Sequence, residues 1–219
     1  MFNYCPPMKI ENLKSFNEDG KRFYSTPTGE KLPSVTTVLG ALKKKEIMAW
    51  RKRVGEDEAN KIARKASGRG TNVHTLCERY LNNEDLGTIM PDAKEMFFSI
   101  KSTLNRINNI HYQEQSLWSI ELGLAGRVDC IAEFDGILSV IDFKTSKRIK
   151  AKKDIDDYFW QTTAYAKMYE ELVGNPINDI VIIMAVENSD PIIFKEKTDD
   201  HINGLLSAIE FYKNELNRL

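Results

Sequence analysis

The feature that most constrains this chain is a dipeptide, Asp135-Gly136, standing between two hydrophobic runs, Gly126 to Phe134 and Ile137 to Thr145. Asp-Gly in that setting predicts a two-residue type I′ turn, whose central positions need positive φ and whose twist matches that of the flanking strands. Such a turn also fixes the register. Counting back from it pairs Phe134 with Ile137, Ile131 with Val140, and Asp129 with Asp142. The last is a non-hydrogen-bonded pair, the class whose side chains approach most closely. Its neighbours Ile131, Leu138, Val140 and Ile141 are apolar.

Two carboxylates directly opposed on a sheet destabilise it, and a divalent cation between them removes the conflict. Lys144 lies two residues beyond Asp142 and points to the same face. A lysine there can stabilise charge developing on a phosphate or orient an attacking water. Magnesium suits such a site, because it takes one or two carboxylates and keeps several waters for a substrate to replace. Manganese is expected to substitute. If repulsion between the aspartates dominates, at least one of them titrates high, and Asp129→Asn relieves the contact when no cation is present.

The rest of the chain reads as one domain over 1–219, with a mostly helical part, 1–66, ahead of a core, 67–219; the length suits a single hydrophobic core. Arg22 to Ser25 and Glu30 to Leu32 predict a small hairpin. Helical sequence follows to Ala66, with interruptions near Gly40 and Gly55. A turn over Ser67 to Gly70 leads to Thr71 as the cap of a helix ending near Leu81. Pro91 opens a helix to about Asn108. Strands are expected over Gln113 to Glu121, Asp179 to Glu187 and Ile192 to Lys195. Helices are expected over Asp154 to Val173, with Gly174 beyond its end, and Asp199 to Arg218, capped by Thr198. The fold class this order implies is α/β, a mixed central sheet flanked by helices.

Composition excludes more than it selects. No apolar run approaches the roughly 20 residues of a membrane helix, and the polar opening Met1 to Ile10 lacks a signal-peptide core, so a cytoplasmic protein is expected. Cys5, Cys77 and Cys130 are too few and too scattered for a disulfide framework or a zinc site; the latter two sit at apolar positions and read as buried thiols. Net charge is −1, which gives no argument for a nucleic-acid partner. Its distribution is more informative. Lys144, Lys147, Arg148, Lys150, Lys152 and Lys153 run without an acid, and a second basic stretch holds Lys43, Lys44, Lys45, Arg51, Lys52 and Arg53. Trp50, Tyr158 and Trp160 lie near these runs and could either stack on bases or pack in the core. His201 reads as a surface residue.

Four ordered pieces resemble the PD-(D/E)XK nuclease superfamily in its RecB-like exonuclease branch, which includes phage exonucleases and the mitochondrial genome maintenance exonuclease. They are Arg69-Gly-Thr-Asn-Val-His74, Gly126-Arg-Val-Asp129, Asp142-Phe-Lys-Thr-Ser-Lys147 and Gln161-Thr-Thr-Ala-Tyr165. The resemblance implies a restriction-endonuclease-like core and a magnesium-dependent deoxyribonuclease, an exonuclease by preference, acting on single-stranded DNA or DNA ends. An endonuclease, or a non-catalytic DNA-binding module on the same scaffold, are the alternatives. It further implies that Asp129, Asp142, the carbonyl of Phe143 and His74 hold the metal, and that Lys144 is the catalytic lysine. Gln161 and Tyr165 would organise the site and hold the DNA strand. Glu114 fits the upstream acid better than Glu121. Arg69, Thr145, Ser146, Lys147 and Arg148 flank these motifs and can reach phosphate oxygens. The chain departs from the family in having Val128 where the naming proline stands. It also lacks the cysteines of iron–sulfur members, so no iron–sulfur cluster is expected. A phage origin would place the protein in a host cytoplasm.

Overall fold

The structure is a computed structural model and describes residues 1–5 and 8–217. In chain order the elements are β1 (Lys14–Glu18), β2 (Lys21–Ser25), β3 (Lys31–Pro33), α1 (Val35–Val54), α2 (Glu56–Leu81) and α3 (Pro91–Leu104). Then come β4 (Ile107–Ser119), β5 (Leu124–Phe134), β6 (Ile137–Ser146), α4 (Asp156–Val173), β7 (Asp179–Val186), β8 (Ile192–Lys197) and α5 (Thr198–Leu216). The expected end of the last helix, Arg218, lies outside the described residues.

Strands β4 to β8 form one five-stranded sheet in sequence order. Every neighbouring pair is antiparallel except β6 and β7, which run parallel because α4 carries the chain back between them. The sheet is therefore mixed, and helices cover both faces. Alternate residues of β6 and β7 serve the two sides, while β4 and β5 break step near their irregularities. Val128, Ile131, Val140 and Ile182 pack with α1, α4 and α5, while Cys130, Ile141, Phe143 and Ile183 pack with α2 and α3. Cys77 and Cys130 are fully buried thiols. Among the described residues no helix is long and apolar enough to cross a membrane.

The first 66 residues are less helical than expected. Residues 14–33 make a second, three-stranded sheet, β1-β2-β3, whose Tyr24 and Leu32 pack on Ala125 of β5. The β2–β3 hairpin is the expected one. β1 shows no alternation because all five of its residues are exposed. The turn expected at Ser67 to Gly70 does not form, and Thr71 caps nothing: α2 is continuous across it. A glycine inside a helix costs only about 1 kcal/mol relative to alanine, and the stripe of Ala59, Arg69, Val73, Leu76 and Cys77 buried along α2 outweighs it. The break between α1 and α2 falls at Gly55, whose φ of 89° ends the first helix, while Gly40 interrupts nothing.

Other boundaries also move, and β4 spans Ile107–Ser119 where Gln113 to Glu121 was expected. α3 ends at Leu104 rather than Asn108, since the chain enters β4 at Ile107. Thr198 is the first residue of α5 and not its cap; its hydroxyl donates to the Ile177 carbonyl at 2.8 Å. His201, read as a surface residue, is 9% exposed and stacks on Phe159 with ring centroids 4.6 Å apart. Trp160 is likewise a packing residue, wedged against Gly204 of α5.

Candidate active site

The turn at Asp135-Gly136 has the expected positive φ at both residues, 52° and 80°. The β5–β6 register runs as counted, from Phe134 opposite Ile137 to Cys130 opposite Ile141. The ladder stops one pair short of Asp129 and Asp142. Beyond it the Phe143 amide, freed from β5, donates to the Asp129 carboxylate at 2.8 Å. The two aspartates thus stand where the strands part.

The other edge of β5 supplies a third acid. The β4–β5 register sets Gln113 opposite Cys130 and Gln115 opposite Val128, which brackets Glu114 across from Asp129. Glu114 adopts φ 48° within a strand. A left-handed non-glycine residue there costs about 1–3 kcal/mol, and such strain concentrates at functional sites. Glu121 is exposed in the turn after β4. Of the two acids weighed, Glu114 is the one that reaches the site.

From the opposite side α2 brings in His74, whose Nδ1 lies 3.4 Å from Asp129 Oδ2. Ligand atoms of His74, Glu114 and Asp129 all fall within 4.8 Å of one another, a spacing that could hold a metal ion. They open onto a cleft of about 510 Å³ also lined by Arg22, Tyr24, Glu78 and Arg127. Arg127 could have been found from the sequence, being two residues from Asp129 on the same strand face. Arg22 and Tyr24 could not, because their placement depends on how the small sheet docks.

Asp142 is 1% exposed, and no backbone amide or neutral side chain donates to its oxygens. Its partner is the Lys144 ammonium, 2.5 Å away. Lys144 in turn donates to Gln161 Oε1 at 3.1 Å, and Gln161 Nε2 donates to the Tyr165 hydroxyl at 3.4 Å. The i, i+4 pair on α4 therefore meets at one spot, as its spacing required. Tyr165 is 2% exposed and lies over Gly126, where an added Cβ would come 2.7 Å from its ring. The glycine of the Gly126-Arg-Val-Asp129 segment is there to admit the tyrosine.

Electrostatics divide the carboxylates. Burial raises Asp129, but the nearby His74 charge outweighs it, helped by Lys144 and the Phe143 amide, so its pKa ends below the usual range. Burial raises Asp142 to about 6; Lys144 pulls against it, and the nearby Asp129 adds a smaller upward push. Burial, with Asp129 and Glu78 nearby, pushes Glu114 up to about 7. His74 is lowered by burial yet carried up to about 9 by Asp129. Lys144 is likewise lowered by burial and raised overall by the two aspartates. One carboxylate does titrate high, but the expectation about Asp129 changes sign: it is a stabilised anion, and Asp142 is the strained one.

The remaining candidates are spread unevenly. Lys147 and Arg148 are exposed and Thr145 is half-buried. Ser146 is 7% exposed and spends its hydroxyl on the Arg148 carbonyl, 2.6 Å away. Arg69 is 5% exposed with its guanidinium 3.5 Å from Glu187. Arg69, Ser146 and Tyr165, expected to touch DNA, are thus placed to support the site from behind. Phe143 keeps its ring in the core, edge-on to His74 at 6.2 Å.

A buried aspartate pair, a glutamate, a histidine and a lysine at the point where two central strands part define a site of the nuclease kind. The family model of the PD-(D/E)XK nuclease superfamily matches residues 75–200, and the chain belongs to that superfamily. The mitochondrial genome maintenance exonuclease 1 of mouse is 28% identical over 129 residues, covering 54% of this chain and 38% of the mouse protein. The human protein of the same name is 26% identical over 132 residues, with the same coverage. The chain thus matches well under half the length of these relatives. A solved structure from Eubacterium rectale superposes with a TM-score of 0.47 at 15% identity over 70% of this chain and 66% of that one, a likeness too slight to bear on function.

Proposed function

We propose that this nuclease is a divalent-cation-dependent deoxyribonuclease that hydrolyses phosphodiester bonds at DNA ends or in single-stranded DNA. The observation that carries the reading is the set of His74, Glu114 and Asp129, whose ligand atoms lie within 4.8 Å of one another, beside Asp142, a buried carboxylate whose contact is one ammonium. Carboxylates gathered this closely repel one another, and a hard cation held by oxygen ligands is the group that compensates them. His74, Glu114, Asp129, Asp142 and the Phe143 carbonyl are the groups that would hold it, magnesium by preference and manganese as substitute. When bound, the cation supplies a Lewis acid for a phosphate oxygen.

The chain's own residues do the rest. Lys144, kept protonated by Asp142, offers its ammonium to the charge that develops on the phosphate. Gln161 fixes where that ammonium sits, and Tyr165 fixes Gln161. Glu114, close to His74 and Asp129, would complete the oxygen ligands of the cation and keep it beside the strand junction. Lys147 and Arg148 present cations to the strand, with Thr145, Ser146 and Arg69 shaping the wall behind them. The matched relatives are named exonucleases, which favours cutting from an end.

The test is incubation with magnesium or manganese on labelled linear and covalently closed circular single strands, with chelator as control. Linear strands should be degraded and circles spared. Cutting of circles would make the enzyme an endonuclease. Binding without metal-dependent cutting of either would leave a non-catalytic module.

A further inference from the structure

The two basic stretches of the sequence are far apart in the chain, yet they meet at one aromatic ring. Tyr158, in the first turn of α4, is half-buried. Lys150, from the segment after β6, donates to its hydroxyl at 2.7 Å and lies 4.8 Å from the ring centroid. Lys43, from α1, stands 5.9 Å from the same centroid, and Lys144 of the active site 5.0 Å.

Three ammonium groups around one ring repel one another. Cation–π attraction offsets this only in part where solvent reaches. The carboxylates within reach do not balance the cluster. Asp157 holds Lys43 at 2.7 Å, and Asp142 is committed to Lys144. Among the described residues Lys150 has no carboxylate partner, only the phenol. A cluster of like charges short of counterions, fixed in place by a ring and a helix, is suited to an anion from outside.

We propose that Lys43, Lys150 and Tyr158 form a second phosphate subsite, which holds a backbone phosphate of the substrate strand flanking the one presented to Lys144. The proposal rests on the nuclease reading, because it takes Lys144 as the residue facing the scissile phosphate. Lys144 touches the ring on its active-site side, and Lys43 and Lys150 approach the same ring from α1 and from the segment after β6. The subsite therefore begins where the catalytic contact ends. Its chemistry recognises phosphate and ignores base identity. Substrates are accordingly strands carrying at least one phosphate beyond the cleaved bond. The Tyr158 hydroxyl holds the Lys150 ammonium and Asp157 holds Lys43, which lowers the entropy lost when they engage a phosphate.

The test uses the full chain with fluorescent single-stranded oligonucleotide and calcium as a non-catalytic cation, titrated at several salt concentrations. Lys43→Gln with Lys150→Gln should weaken binding, and the log–log salt slope should fall by about 1.4, the value for two lost contacts on a single strand. Lys195→Gln with Lys197→Gln removes equal charge from β8, where those lysines pair with Asp135 and Asp179, and should leave the slope unchanged. In cleavage assays the Lys43/Lys150 variant should raise KM for the oligonucleotide with kcat within about twofold of wild type, the pattern of lost uniform binding. Equal slopes for the two double variants, or no strand binding at all, overturn the subsite. Failure of wild type to cut with any cation overturns the nuclease reading, while the calcium titration still judges the subsite.

Discussion

Replacing Asp129 by Asn in the metal-free protein tests the electrostatics of the site most directly. The substitution keeps the side chain's shape and an acceptor for the Phe143 amide, but removes the charge that holds His74. With a pKa of about 9 against 6.5 in the unfolded chain, His74 would contribute at most about 2.5 kcal/mol at pH 7. Its side chain is 29% exposed and its contact is 3.4 Å long, so screening reduces this to about 1–2 kcal/mol. The Phe143 bond loses its charge assistance, worth about another 0.5–1 kcal/mol. Relief of repulsion with Asp142 works the other way and is smaller, because burial is the chief cause of the raised Asp142. The net loss is about 2 kcal/mol, which in a chain of this size lowers Tm by about 4–8 °C.

The pH dependence has a definite sign. A group whose pKa is raised on folding contributes fully below its unfolded value, and the contribution fades as pH rises through the folded one. The His74 share is thus complete below 6.5 and lost through about 9. Ionisation of Glu114 near 7, beside Asp129, burdens the wild type in the same range. Thermal melts with chelator at pH 6 and pH 9.5 should show a wide gap between the two proteins at the lower pH and a narrow one at the higher. With manganese added, the wild type should gain more than the variant. An Asn variant that melts at or above wild type at pH 6, or a gap that does not narrow, refutes the account.

Lys144→Ala and Asp142→Ala should each reduce cleavage by at least about 100-fold while circular dichroism shows a folded protein; near-normal turnover removes the residue from the mechanism. Gly126→Ala forces a methyl to within 2.7 Å of the Tyr165 ring, so it should cost about 1–3 kcal/mol by overpacking, read as a lowered denaturation midpoint, and should slow cleavage by shifting Gln161. His74→Ala should impair metal-dependent turnover. His201→Ala, which empties a buried stacking position, should lower Tm and leave turnover per folded molecule intact; equal kinetic effects from both would return His74 to a structural role.

What was legible in the sequence was local. Asp135-Gly136 fixed the β5–β6 register as far as Cys130 and Ile141 because a two-residue turn leaves no slack, and Asp142 and Lys144 share a face by strand alternation; Asp129 lies beyond the end of the ladder. Gln161 and Tyr165 converge for the equivalent reason on a helix. What was not legible depends on distant neighbours. Glu114 reaches the site through a left-handed residue in a strand whose register shifts between Asn108 and Tyr112, and no local pattern announces such a shift. The pairing of Asp129 with His74 comes from how α2 packs on the sheet, and it decides which aspartate is the stabilised one. Gly68 and Gly70 suggested a turn because glycine is ambiguous by itself; the buried stripe of α2 settled it as helix.

The match to the nuclease superfamily begins at residue 75, yet the cleft has Ser15, Arg22 and Tyr24 in its lining. These residues belong to the β1–β2 ribbon, which is pinned to the start of α1 through Arg22, whose carbonyl accepts from the Ser34 amide and the Thr37 hydroxyl. The cleft is in that sense a composite, part of its wall from residues inside the match and part from segments ahead of it. A change confined to the ribbon would alter what the cleft admits and leave Glu114, Asp129 and Asp142 where they are.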